Sequence, residues 1–172
     1  MEYYEKTIKE EEIYNGKIIS LKVAEVEVPN KIKSLRELVY HPGGVGILAY
    51  LDSDTIILVQ QFRKPFEKIM LEIPAGKLEN GENPEDCGKR ELEEETGYKA
   101  KNFTYLGKIV SSPGFCNEVI HLYKATGLYN GKIGGDEDEF ISVHKIKKVK
   151  LLQMIKNGEI LDAKTISAFM FE

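Results

Sequence analysis

Tryptophan is absent from this 172-residue chain, and cysteine occurs only twice, as Cys87 and Cys116. Neither thiol stands in a CxxC or zinc-like spacing, so a thiolate zinc site and a disulfide-stapled secreted scaffold are both disfavoured. Reduced thiols in a cytoplasmic protein are the expectation. No apolar run approaches the ~20 residues of a membrane-spanning helix. The opening MEYYEKTIKEEE is charged throughout, unlike a signal peptide, so no membrane partner is expected. Basic charge is also short: 24 Lys and Arg against 28 Asp and Glu give a net charge of −4. A nucleic-acid partner, which calls for a basic stripe, is therefore not expected. The three histidines, His41, His121 and His144, have no i, i+4 partner and carry no metal-ligand pattern.

What the chain does have is 42% hydrophobic and 30% charged residues, the composition of a folded domain with a sizeable core. Residues 1–12 are polar and read as an extended lead-in. From 17 to 28 the apolar residues alternate with a change of phase at Val23-Ala24, which suggests a bulge or a change of sheet. With a second strand at 35–40, residues 1–40 form a small β meander that needs another surface to cover it. The His41-Pro42-Gly43-Gly44 cluster marks a boundary. Strands are predicted at 45–51, 55–61, 69–73, 103–110, 119–125 and 140–146, with 127–139 as loop. Amphipathic helices are predicted at 148–157, with Val149, Leu152 and Ile155 on one stripe, and at 163–171, with Ile166, Phe169 and Met170 on the other. Mixed strands flanked by helices indicate an α/β sandwich over 41–172.

The chemistry concentrates between Gly76 and Tyr98, in GKLENGENPEDCGKRELEEETGY. Asn83 is placed to cap a helix, Pro84 suits its first position, Glu85 and Asp86 favour its positive end, and Gly97 supplies the left-handed residue after the last turn. On that helix, over 84–96, Glu91, Glu94 and Glu95 stand at i, i+3 and i+4 and share one face. Like charges so placed repel by ~0.2–0.5 kcal/mol per exposed pair. A divalent cation reverses that sign, and carboxylate oxygens are the donors that Mg²⁺ or Mn²⁺ prefer. Arg90, four residues before Glu94, can pin a carboxylate. A solvated acidic face is the commoner fate of such a run, and spacing decides against it. Gly76, Glu82, Arg90-Glu91-Leu92, Glu94-Glu95 and Gly97 resemble the Nudix box at each fixed position. Tyr98 stands where that family more often has an aliphatic residue.

Other constellations gain meaning beside the box. Gly76 permits close backbone approach, so the Ala75 carbonyl can point at the carboxylates. Arg63 closes a strand, and Arg36 lies within the meander; each offers the bidentate donors that suit phosphate. The acidic loop Asp136-Glu137-Asp138-Glu139 follows Gly134-Gly135. Its alternation points Glu137 and Glu139 the same way, and each can serve as general base or as metal ligand.

The resemblance extends over essentially the whole chain. Pro113 in a Ser112-Pro113-Gly114 turn, fifteen residues after Tyr98, with QFRKP at 61–65, EIPAG, DEDEF and DAKT at 162–165, is similar to the bacterial ADP-ribose pyrophosphatase branch of the Nudix hydrolases. That resemblance implies the Nudix α/β/α sandwich with a mixed sheet and a homodimer whose N-terminal segments exchange. It also implies Mg²⁺-dependent cleavage of ADP-ribose to AMP and ribose 5-phosphate. Ala75, Glu91, Glu94 and Glu95 would hold metal, and Glu137 or Glu139 would take a proton from water. Arg36, Arg63, Gly76, Ser112 and Pro113 would contact substrate. The alternatives are a Nudix hydrolase of another nucleoside diphosphate derivative, such as a nucleotide sugar or dinucleoside polyphosphate, and a non-catalytic module that binds ADP-ribose as a regulatory signal.

Overall fold

Charge does not keep the first residues out of regular structure. In the computed structural model, which describes residues 3–132, 134 and 140–172, strand β1 (Lys6–Asn15) pairs antiparallel with β2 (Ser20–Glu27), and β2 with β3 (Lys33–Tyr40). The expected lead-in is thus the edge strand of a three-stranded sheet, its backbone bonded to β2 along one edge. The irregularity expected at Val23-Ala24 lies elsewhere: β2 pairs with β3 without a break, and the register shifts fall in β1, between Thr7 and Lys9 and between Glu12 and Tyr14. β2 is the middle strand and carries apolar residues on both faces, with Ala24 and Val26 buried and Leu21 and Val23 half-buried. That is what the sequence shows as a change of phase.

Two compact units make up the chain: residues up to 43 together with 110–119, and 44–109 together with 120–172. In the first, the segment 110–119 lies beside β3. The Val39 amide donates to the Phe115 carbonyl at 2.7 Å and the Asn117 amide to the Val39 carbonyl at 3.1 Å.

The second unit is built on β4 (Gly44–Tyr50), β5 (Thr55–Arg63), β6 (Lys68–Glu72), β7 (Ala75–Lys77), β8 (Tyr98–Val110), β9 (Val119–Asn130) and β10 (Ser142–Lys147). Sheet order is β10-β5-β4-β9-β8, with β6 on β5 and β7 on β4. The β4–β9 pair is parallel and β5 is antiparallel to β4, β6 and β10, so the sheet is mixed. Helix α1 (Pro84–Thr96) covers one face; α2 (Lys148–Lys156) and α3 (Ala163–Met170) cover the other. Strand alternation assigns the side chains. Val45, Ile47, Ala49, Ile57, Tyr123 and Ala125 pack with Cys87 and Leu92 of α1. Leu48, Tyr50, Ile56, Leu58 and Leu122 pack with Leu151 of α2 and Ala168 of α3. Buried on both faces, β4 reads as a continuous apolar run. This is the expected α/β/α sandwich.

Some boundaries and helix faces differ from expectation. β8 starts at Tyr98, directly after the helix cap, and β9 runs on to Asn130 where a loop was expected. The α2 stripe is rotated: Leu151, Met154 and Ile155 face the core, whereas Val149 is 70% exposed, and on α3 Met170 is likewise exposed. The cause is the junction. α2 begins at the residue after β10, with the Lys148 amide bonded to the Asp54 carbonyl at 2.7 Å, so its rotation follows from the strand that precedes it.

Leu48→Ala should therefore lower the unfolding free energy by about 2–5 kcal/mol in chemical denaturation. Val149→Ala should change it by less than about 0.5 kcal/mol, although both positions are apolar.

Candidate active site

Strand β6 delivers Glu72, buried Ile73 and Pro74 to the short strand β7, and α1 docks on that turn. The Pro74 carbonyl accepts from the Ile47 amide at 2.8 Å, which ties the turn to β4. From the helix side, a Glu95 carboxylate oxygen accepts from the Ala75 amide at 2.9 Å. Gly76 faces Glu91 so closely that any Cβ there would overlap the Glu91 carboxylate. The Cys87 thiol donates to the Lys77 carbonyl at 3.3 Å; burial, reinforced by Glu82, pushes it up to about 12. A thiol so protonated is packing, not a nucleophile.

The helix itself has the expected ends. Asn83 accepts from the Glu85 amide at 2.8 Å, Pro84 opens the first turn, and Gly97 at φ 73° closes the last. Between them Arg90 holds the acidic face together. Its Nη1 donates to Glu91 at 2.8 Å and to Glu94 at 2.9 Å, while its Nε and Nη2 reach Glu82 at 3.1 and 3.2 Å. Hydrogen bonds donated to Glu82, outweighing partial burial, raise the Arg90 pKa, and Arg90 in turn lowers that of Glu82.

Ala75, Gly76, Glu91 and Glu95 are thus brought to one place, with Glu94 joined to Glu91 through Arg90. The available donors are carboxylate and carbonyl oxygens, the set that a hard divalent cation takes. Gly76, with no Cβ, lets the Glu91 carboxylate lie directly against the turn backbone. Among the described residues no three His, Cys, Asp or Glu side chains already converge as a metal cluster.

Arg63 ends β5 in a network that sequence reasoning did not anticipate. Its Nε and Nη2 donate to the two oxygens of Glu72 at 2.8 and 2.6 Å. Lys164, on α3, donates to the same Glu72 at 2.5 Å and to Asp162 at 2.9 Å. Asp162 caps α3 by accepting from the Thr165 amide at 2.9 Å, and the Thr165 hydroxyl accepts from the Ile73 amide at 2.9 Å. Burial opposes ionisation of Glu72, which is only 2% exposed. Hydrogen bonds from Arg63 and the charge of Lys164 outweigh that and hold its carboxyl down to about 2. The available signal was DAKT, an Asp three residues before a Thr at a helix start.

In the first unit, Arg36 donates Nε and Nη2 to Glu5 at 2.9 and 2.5 Å, and Nη1 to the Ser34 hydroxyl and the Leu35 carbonyl, each at 2.9 Å. The Ser112 carbonyl, just before Pro113, accepts from the Phe115 and Cys116 amides at 3.1 and 2.9 Å and closes the turn. Glu137 and Glu139 lie outside the described residues.

A family model described as the NUDIX domain matches residues 40–169. The chain is 48% identical over 169 residues to an ADP-ribose pyrophosphatase of Bacillus subtilis, covering 97% of this chain and 91% of that one. It is 46% identical over 171 residues to a methanol dehydrogenase activator of Bacillus methanolicus, covering 98% and 92%. A solved structure described as an ADP compounds hydrolase shares the fold with a TM-score of 0.87 at 22% identity, over 97% of this chain and 91% of that one.

Two outcomes are expected of this geometry. Because the Glu72 pKa is depressed from 4.5 to about 2, its contribution to stability is present above pH 4.5 and is lost as pH falls towards 2. Glu72→Gln, which takes the carboxylate from Arg63 and leaves Lys164 with Asp162 alone, should lose about 3–5 kcal/mol at neutral pH and show a shallower acid limb in denaturation at stepped pH. Gly76→Ala should displace the Glu91 side chain and leave the backbone in place, lowering the unfolding free energy in chemical denaturation by no more than about 1 kcal/mol.

Proposed function

The chain belongs to the Nudix family, and from that premise we propose that it hydrolyses the diphosphate of ADP-ribose to AMP and ribose 5-phosphate, with Mg²⁺ as cofactor and Mn²⁺ as a substitute. The observation that carries this reading is the docking of the acidic face of α1 on the Ala75-Gly76 turn, in the second unit that also contains Arg63. The substrate follows the 48% identical relative of that name.

Glu91, Glu94, Glu95 and the Ala75 carbonyl would hold the metal, with Glu91 and Glu94 turning from Arg90 to do so. Bound there, Mg²⁺ supplies Lewis acidity and neutralises the charge of the diphosphate. Gly76, lacking a side chain, lets the backbone approach a phosphate oxygen. Arg63 has Nε and Nη2 committed to Glu72, which holds the guanidinium plane and leaves Nη1 for the phosphate. Water attacks phosphorus, the bridging P–O bond breaks, and Glu137 or Glu139 takes the proton. Ser112 and Pro113 contact substrate in this reading, and Arg36 is contributed by the second copy of a homodimer.

Support for the dimer comes from β1. All ten of its residues are exposed, Ile8, Ile13 and Tyr14 included, and β2 pairs with only one of its edges. An open edge with apolar side chains invites another chain. The compartment is read as cytoplasmic from the two free cysteines, and no nucleic-acid partner is proposed for a chain of net charge −4. Among the described residues no helix is long and apolar enough to cross a membrane.

AMP release from ADP-ribose, with and without Mg²⁺, against UDP-sugars and diadenosine polyphosphates tests the substrate. Mg²⁺-dependent preference for ADP-ribose is expected, and preference for another compound would keep the chemistry and reject the substrate. The Glu137→Gln, Glu139→Gln double variant should lose about 10²–10⁴-fold in kcat; full activity would remove that loop from the mechanism. Analytical ultracentrifugation at micromolar concentration should give a dimer, and a monomer would reject the exchanged segment. The Bacillus methanolicus relative favours a second reading, action on a dehydrogenase partner. Stimulation of a methanol dehydrogenase by this chain would support it.

A further inference from the structure

The relay Arg63–Glu72–Lys164–Asp162 has a residue whose position packing alone does not explain. Lys164 is 9% exposed, and it brings a second cation onto a carboxylate that already holds a guanidinium by both oxygens. A carboxylate and a guanidinium clasped in that way cancel each other, and an approaching anion meets a nearly neutral pair. Lys164 shares the Glu72 oxygen that accepts from Arg63 Nη2, so the Glu72 charge is divided between two cations. Asp162 restores balance from the other side of Lys164, where its second oxygen is occupied by the Thr165 amide and hydroxyl. The same cap reaches the backbone: Thr165 binds the Ile73 amide, two residues before Ala75. The start of α3 therefore holds both the strand that carries Arg63's partner and the backbone entering the metal-site turn.

We propose that Lys164 is a positioning residue for substrate: by sharing Glu72 it orients Arg63 and leaves the guanidinium positive enough to bind a phosphate of the nucleoside diphosphate. The inference rests on the ADP-ribose reading above and extends it to α3, a helix with no carboxylate of the Nudix box. Lys164 touches no reacting atom, so its effect belongs in substrate affinity and passes through Arg63. A purely structural lysine would instead alter stability, and its loss would add to that of Arg63.

The test is isothermal titration with an ADP-ribose analogue whose bridging oxygen is replaced by methylene, in the presence of Mg²⁺, so that binding is read without turnover. Lys164→Met should weaken binding about tenfold, the scale of losses when a supporting partner is removed. Lys164→Arg should restore most of it. In an Arg63→Ala background, Lys164→Met should have no further effect. Circular dichroism melts check folding, and if Lys164→Met does not fold, Lys164→Gln, which keeps a donor without the charge, takes its place in the same comparison. Wild-type affinity in the single variant, or an undiminished loss in the Arg63→Ala background, would overturn the inference alone. A wild-type protein that does not bind the analogue would overturn the substrate reading and the inference with it.

Discussion

The contact on which the rest of the second unit depends is the docking of α1 carboxylates against a backbone that has no room for a side chain. Glu95 accepts from the Ala75 amide and Glu91 fills the space beside Gly76. For that to hold, α1 must lie on one face of the sheet, with Leu92 and Cys87 under it, and β7 must be held on β4. The helix carries a run of like charges that would disfavour it in isolation. Arg90 offsets that repulsion by bridging Glu82, Glu91 and Glu94. Apolar packing supplies the energy of the assembly, and the carboxylates determine where the helix comes to rest.

A second set of charges serves the opposite end of the same turn. Glu72 lies in an apolar strand and would be costly there alone; Arg63 and Lys164 make it tolerable, and Asp162 and Thr165 join it to α3. The turn from Ile73 to Gly76 is therefore gripped from both faces of the sheet, by α1 through Glu95 and by α3 through Thr165. Such double support is what a site needs if its oxygen donors are to hold position within a fraction of an ångström.

How much of this was legible in the sequence follows from how local each signal is. The α1 boundaries were readable because Asn83, Pro84 and Gly97 act within a turn of where they stand. The acidic face was readable because its three carboxylates share one helix. The strand identity of β1 was not, since its pairing depends on β2 and not on its own composition. The α2 stripe was misplaced because the helix takes its rotation from β10, a neighbour that periodicity within the helix does not register. The Glu72–Lys164 pair spans 92 residues, and a charged residue in an apolar strand announces that it needs a partner without saying which. Guanidinium chemistry singled out Arg63 and the family resemblance included DAKT; the structure joins Arg63 to Lys164 through Glu72.

The most direct test of the central claim, that the docked acidic face of α1 is a metal site, is titration of Mn²⁺ followed by electron paramagnetic resonance on the unmodified protein and on Glu95→Gln. The account predicts saturable binding to the first and affinity lower by at least about tenfold in the second. Identical titration curves, with the variant folded, would contradict it.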